Sequence, residues 1–135
     1  FNLAEDSVKM LCRWLNETPI GWDYEKRTSA NLYITSWVTQ HPVKKWNWST
    51  SCFGPLEDHL ELMYAFIQAS LFYSLTHDQF DEQQREVFVM YSMAKKIEQS
   101  EYYHKMEDWE PMVRAVRKKE ELEYLEKCRG ISYSH

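Results

Sequence analysis

The chain has 135 residues, a formal net charge of −5 and an aromatic content of 16%. Disordered chains lack aromatic residues, and nucleic-acid-binding domains need a basic face, so the composition excludes both classes. No run of about 18 apolar residues occurs, and the sequence therefore predicts no membrane span. The length predicts a single domain over residues 1–135.

Helix breakers are few and lie at the edges of helically periodic segments. The chain has 3 glycines and 4 prolines, and residues 56–110 contain neither. Because breakers in these positions separate helices rather than interrupt them, the pattern predicts an all-α fold. We expect a single compact domain of about five helices in an antiparallel helical-hairpin arrangement.

The first two predicted helices cover residues 3–16 and 24–40. The first has one apolar face, formed by Val8, Cys12 and Leu15. The second has a similar stripe of Ala30, Tyr33, Ile34, Trp37 and Val38. Residues 41–54 follow no helical period, so they predict an irregular connection after the second helix.

Three further helices are predicted in the second half of the chain. Pro55 suits the first turn of the third helix, which runs to about residue 76, because its missing N–H would be unpaired there. Asp78 is the predicted N-cap of the fourth helix. The fifth helix covers residues 111–128 and ends at Gly130. Residues 131–135 are predicted to be a frayed tail.

The three cysteines restrict the redox chemistry of the chain. Cys12, Cys52 and Cys128 are too far apart for a CxxC site and too few for a disulfide scaffold. In an oxidising compartment one pair can form and leave one thiol free. The sequence leaves open which pair this is.

Four blocks of sequence carry a resemblance. They are residues 14–19 (WLNETP), 30–37 (ANLYITSW), 61–66 (ELMYAF) and 118–123 (KKEELE). Together they resemble a family of small exported α-helical proteins of unknown function from Bacteroidetes. The resemblance implies a cleaved signal peptide and a periplasmic or secreted location, and it brings no catalytic residues. The residues themselves leave a cytoplasmic location open.

One motif suggests metal chemistry. The adjacent pair His77-Asp78 resembles the central ligands of metal phosphohydrolases with a His…His-Asp…Asp set. His41 would then supply the upstream ligand and Asp108 the downstream one, and such ligands suit a divalent metal that activates water. The preferred alternative is that Asp78 is an N-cap and His77 a turn residue, because short motifs often match by chance. We therefore predict no cofactor.

Four aromatic residues lie in predicted connections rather than on helix stripes. These are the candidate ligand-binding residues Trp22, Tyr24, Trp46 and Trp48. Loops often carry sites that rigid helices position, although for Trp46 and Trp48 the preferred interpretation is a packing role at the end of the bundle.

Three functional hypotheses follow from these observations. The first is a non-enzymatic helical domain that binds a protein or a small ligand outside the cytoplasm. The second is a metal-dependent phosphohydrolase of His-Asp type. The third is a small acidic inhibitor or immunity-type protein that covers a basic partner surface.

Overall fold

The computed structural model describes residues 3–40, 48–79 and 81–130. In these ranges the chain forms six α-helices and no strand. The helices are α1 (Leu3–Glu17), α2 (Tyr24–Thr39), α3 (Leu60–Thr76), α4 (Glu82–Gln99), α5 (Glu110–Arg117) and α6 (Glu121–Arg129). The all-α prediction is confirmed, and the number of helices is corrected from about five to six.

The extra helix arises because the predicted helix over residues 111–128 is broken. After α5, Lys119 adopts the left-handed conformation with φ 59. The Lys119 N–H donates to the Val116 oxygen at 3.2 Å, and the Glu120 N–H donates to the Ala115 oxygen at 2.8 Å. This pair of bonds is the Schellman pattern that ends helices. Glycine usually occupies that position, so the lysine gave no sequence signal for the break.

The start of the fourth helix also differs from the prediction. Asp81, not Asp78, is the N-cap of α4. Its carboxylate accepts from the Gln84 N–H at 2.7 Å, and the Gln84 side chain accepts from the Asp81 N–H at 3.2 Å. This reciprocal arrangement satisfies two otherwise unpaired helix donors, which a cap three residues earlier would not do.

Short 3₁₀ turns replace helix at two places. Leu56–Asp58 precedes α3, so the region after Pro55 is a 3₁₀ turn rather than the first turn of that helix. Tyr103–Lys105 and Glu107–Trp109 connect α4 to α5. Residues 48–54 of the predicted irregular connection contain no helix. Its remainder, 41–47, and the predicted frayed tail lie outside the described residues.

Helix α3 is the centre of the packing. It contacts α1 on one side and α4 on the other, while α2 packs on α1, and α5 and α6 pack on α4. One apolar cluster joins α3 to α4, α5, α6 and the segment around Phe53. The second cluster joins α1 and α2 to Leu71 of α3. Because α3 contributes to both clusters, it is buried around much of its circumference.

A disulfide ties the two halves of the chain together. Cys52 and Cys128 are bonded, with Cα atoms 5.8 Å apart and a sequence separation of 76. Cys12 is a free thiol in the second cluster. Burial raises the pKa of the Cys12 thiol to about 12. None of the described helices is both long and apolar enough to cross a bilayer.

Candidate functional site

The turn between α1 and α2 presents two aromatic side chains to solvent. Trp22 is 66% exposed and Tyr24 is 71% exposed. The backbone is tightly curved here, because Gly21 and Asp23 both have positive φ, 92 and 50. The main-chain N–H of Trp22 donates to the main-chain oxygen of Pro19 at 3.3 Å. These two predicted ligand-binding residues are therefore both exposed, Trp22 on a defined turn and Tyr24 at the first position of α2.

Two buried cations hold this turn through hydrogen bonds to its main-chain oxygens. Arg27 of α2 donates to the main-chain oxygens of Thr18 at 3.3 Å and Pro19 at 3.4 Å. Lys96 of α4 donates to the oxygens of Leu15 and Thr18, the latter at 2.8 Å. Only 3% of Arg27 and 1% of Lys96 is exposed. The last carbonyls of a helix have no hydrogen-bond partner within the helix, and they carry partial negative charge. The two cations supply the missing donors and also compensate this charge.

The two cations differ in whether a carboxylate is paired with them. Glu61 of α3 accepts from Arg27 at 3.3 Å, and it is the one carboxylate paired with either cation among the described residues. Burial lowers the pKa of Lys96, the charge of Arg27 adds to this shift and Glu61 opposes it, and the resulting value is about 8. Lys96 therefore keeps its proton less tightly than an exposed lysine does.

Helix α2 has a buried side and an exposed side, and the exposed side carries no charge beyond the first turn, where Glu25 and Lys26 are exposed. Its buried stripe is Arg27, Ala30, Asn31, Ile34 and Trp37. Asn31 accepts a hydrogen bond from Gln68 of α3, and this buried polar contact attaches α2 to α3. On the outer side Leu32 is 66% exposed and Tyr33 is 43% exposed, so the prediction that Tyr33 belongs to the buried stripe is wrong. Residues 28–40 contain no charged residue, and a charge-depleted, aromatic surface is typical of the core of a protein interface.

Trp48 has a packing role rather than an exposed one. It is partly buried between the two apolar clusters. Its ring meets Phe66 edge-on at 6.5 Å, and the Arg85 guanidinium lies 5.7 Å from its centroid. Trp46 lies outside the described residues. Of the four aromatic candidates, Trp22 and Tyr24 are thus the two that the structure shows to be exposed.

The four residues of the metal hypothesis are not brought together where they are described. His77 and Asp78 are exposed beyond the C-terminal end of α3. Asp108 precedes Trp109, whose ring lies 5.8 Å from His59 at the N-terminal end of α3. A helix of 17 residues is on the order of 25 Å long at about 1.5 Å per residue, so Asp108 and His77 lie at opposite ends.

His41 lies outside the described residues. Within the ranges 3–40, 48–79 and 81–130, no group of three or more His, Cys, Asp or Glu side chains is placed to hold a metal ion. The imidazole of His77 instead stacks on Tyr73, with ring centroids 3.8 Å apart, and its Nδ1 lies 3.0 Å from the Tyr73 oxygen.

Sequence reasoning missed the two residues that position the turn. The sequence pattern predicts that Arg27 and Lys96 are exposed to solvent, because a charged residue on a periodic helix is usually exposed. The one available signal was the phase of α2, which places Arg27 in the same stripe as Ala30 and Ile34. Nothing in the sequence around Lys96 indicates that it reaches Leu15 and Thr18.

Comparisons of the chain with protein-family models, with curated proteins and with solved structures found no match.

Proposed function

We propose that this protein is a non-enzymatic helical domain that docks a partner protein outside the cytoplasm. Its contact surface, here called the docking face, consists of Trp22 on the turn and of Tyr24, Leu32 and Tyr33 on α2. The observation that carries the proposal is the anchoring of this turn by Arg27 and Lys96 beneath two exposed aromatic rings.

Rigidity is the first argument for a docking role. Association costs free energy for every side chain and loop that must be ordered, and a surface already held in place avoids part of that cost. Residues 18 and 19 are held through their carbonyls, and Trp22 is held through its N–H. An exposed tryptophan on such a turn matches the residue type that dominates binding energy in protein interfaces.

The composition of α2 is the second argument. A solvated helix face normally carries charge, and the chain as a whole is 27% charged. Residues 28–40 carry none, and hydroxyl groups with Leu32 and Tyr33 occupy the outer side instead. This favours a partner with an apolar and weakly polar surface. Beyond its first turn, α2 also lacks the carboxylates that the inhibitor alternative needs opposite a basic partner. Exposed Asp23 and Glu25 flank Tyr24 at the other end of the docking face.

The location outside the cytoplasm is supported by the cysteines. Disulfides persist in oxidising compartments and are rare in the reducing cytoplasm. The Cys52–Cys128 bond therefore agrees with an exported protein, periplasmic or secreted, as the resemblance to small exported helical proteins implies.

An antiparallel hairpin arrangement is part of the same proposal. Helices α1 and α2 pack on each other, as do α3 and α4. They are joined by the short connections 18–23 and 77–81, and short connections between packed helices are typical of antiparallel neighbours. In this arrangement α2 is an edge helix whose outer side is available to a partner.

The test is a comparison of matched surface variants in partner capture. The wild-type protein, immobilised through its C-terminal end, is exposed to the extracytoplasmic fraction of its source. The proposal expects a captured protein that is lost with Leu32→Glu and with Trp22→Ala. Tyr91→Glu is the control, because Tyr91 is also exposed but lies on α4. Equal capture by all four proteins would contradict the proposal.

A further inference from the structure

A pocket of about 380 Å³ lies where the chain leaves α4, passes through two 3₁₀ turns and enters α5. Its apolar lining comes from four side chains: Ile97, Met106, Trp109 and Val113. Small-molecule sites typically enclose about 300–1,000 Å³, so this pocket lies at the lower end of that range. It suits a small ligand with one apolar group.

Trp109 gives the pocket a rigid floor. Gly54, at φ +79, lets the backbone approach this ring closely, and a Cβ at that position would overlap its six-membered ring. The imidazole of His59 meets the same indole edge-on at 5.8 Å. Because Cζ3 and Nε1 lie at opposite ends of an indole, the N–H is directed away from Gly54. This buried N–H has no acceptor within the described residues.

The charged lining of the pocket is balanced. Three cations and three carboxylates contribute to it: Lys105, Arg114, Arg117, Glu98, Glu107 and Glu110. A simple anion would meet the carboxylates, and a simple cation would meet the basic groups. The balance therefore favours a ligand that carries both signs of charge.

Four of these six groups already have partners. Arg114 pairs with Glu110 on α5, and Arg117 lies 3.8 Å from Glu98 of α4. Lys105 and Glu107 have no ion-pair partner within the part of the chain that the structure describes. They flank Met106, so one cation and one carboxylate border the apolar lining and can be used without breaking an existing pair.

His104 adds one further polar group with a defined tautomer. Its Nδ1 lies 2.7 Å from the Ser100 carbonyl oxygen. A carbonyl only accepts hydrogen bonds, so Nδ1 carries the proton and the neutral ring offers Nε2 as an acceptor. An ammonium group in the pocket would find an acceptor in Glu107 and a second one in this nitrogen.

We propose that this pocket binds a zwitterionic α-amino acid with a large apolar side chain. The ligand carboxylate pairs with Lys105, its ammonium group pairs with Glu107, and its side chain lies on Met106, Trp109 and Val113. The pocket is formed by different elements from the docking face, and this inference does not depend on the proposed docking function.

Calorimetric titration with three probes tests the charge requirement. L-Phenylalanine carries both charges, 3-phenylpropanoate lacks the ammonium group, and phenethylamine lacks the carboxylate. We expect L-phenylalanine to bind at least about tenfold more tightly than either analogue, since each analogue leaves one charged protein group unpaired. Equal affinities for the three probes, or no binding at about 10 mM L-phenylalanine, would overturn the proposal.

Matched variants locate the binding. Lys105→Gln and Glu107→Gln are each expected to weaken L-phenylalanine binding about tenfold, because each removes one charge-assisted contact. Lys127→Gln and Glu123→Gln on α6 are the controls, since these exposed residues lie outside the pocket. All four side chains are exposed, so the fold should tolerate each change. Unchanged affinity in both pocket variants would overturn the proposed site.

Discussion

Arg27 and Lys96 donate hydrogen bonds to the same main-chain oxygen, that of Thr18, from two different helices. Arg27 belongs to α2 and Lys96 to α4, so a single carbonyl at the end of α1 links three helices. The turn that carries Trp22 is therefore attached to the interior. Its stability and its position depend on two cations that are withdrawn from water.

The first prediction concerns pH. The pKa of Lys96 is lowered from its ordinary value of 10.5 to about 8 in the folded protein. Between these values the unfolded chain binds more protons, so the free energy of unfolding rises with pH. We expect this Lys96 contribution to be about 2 kcal/mol between about pH 8 and pH 10. It is measured by urea denaturation as the difference between wild type and Lys96→Met, because the Cys12 thiol, whose pKa is raised from 9.0 to about 12, changes the stability of both proteins in the opposite direction.

The control for this prediction is the neighbouring lysine. Lys96→Met should lose the stability that wild type gains from Lys96 in this pH range, whereas Lys95→Met should retain it because Lys95 is exposed. Above about pH 10 the trend reverses, because burial raises the pKa values of Tyr103 and Tyr124 and their ionisation favours the unfolded chain. The same slope in wild type and Lys96→Met would show that another group is responsible.

The second prediction concerns the break between α5 and α6. A left-handed lysine costs about 1–2 kcal/mol, a strain that glycine avoids. Lys119→Gly should therefore stabilise the protein by about 1 kcal/mol in denaturant unfolding. Lys118→Gly is the matched comparison, because Lys118 has φ −89 and is not strained. This variant should be less stable than wild type by about 0.5–1 kcal/mol, because glycine increases the backbone entropy of the unfolded chain. Destabilisation by both changes would mean that Lys119 is not left-handed.

The third prediction separates two tryptophans. Trp37 is buried in the cluster between α1, α2 and α3, and Trp22 is exposed. Trp37→Ala should cost about 3–5 kcal/mol, whereas Trp22→Ala should change stability by less than about 0.5 kcal/mol. Thermal unfolding of the two variants distinguishes them. A large loss in Trp22→Ala would make that residue a packing residue and remove it from the docking face.

The fourth prediction concerns the three cysteines. Alkylation of the native protein should add nothing, because the Cys12 thiol is buried with its pKa raised to about 12 and the other two cysteines are bonded. Denaturation without reductant should give one adduct, and denaturation with reductant three, as read by intact mass. Reduction should lower stability by roughly 4 kcal/mol, given the length of the closed loop. Three adducts without reductant would rule out the Cys52–Cys128 bond.

The helices could be predicted because their signals are local. The absence of glycine and proline between Pro55 and Pro111 and the periodic apolar residues gave the fold class and the extents of α1 and α2. The break at Lys119 has no such signal, because the strained position holds a lysine instead of glycine. The cap at Asp81 was missed because Asp78 is an equally good capping residue, and only the pairing with Gln84 decides between them.

The candidate site was predictable only in part. Trp22 and Tyr24 were identified because they lie in a connection, off the apolar stripes. Trp48 lies in a connection too, but long-range contacts with Phe66 and Arg85 bury part of it. The hydrogen bonds from Lys96 to residues about 80 positions earlier are tertiary contacts, and no local pattern encodes them.

The most direct test of the docking face uses photo-cross-linking at two exposed tyrosines. A photoreactive phenylalanine analogue replaces Tyr33 on α2 in one protein and Tyr91 on α4 in the other, both expressed in the source organism. The account predicts that irradiation joins a discrete partner protein to position 33 and not to position 91. It also predicts that Leu32→Glu in the first protein removes the product. The same product from both positions, or from position 91 alone, would contradict the account.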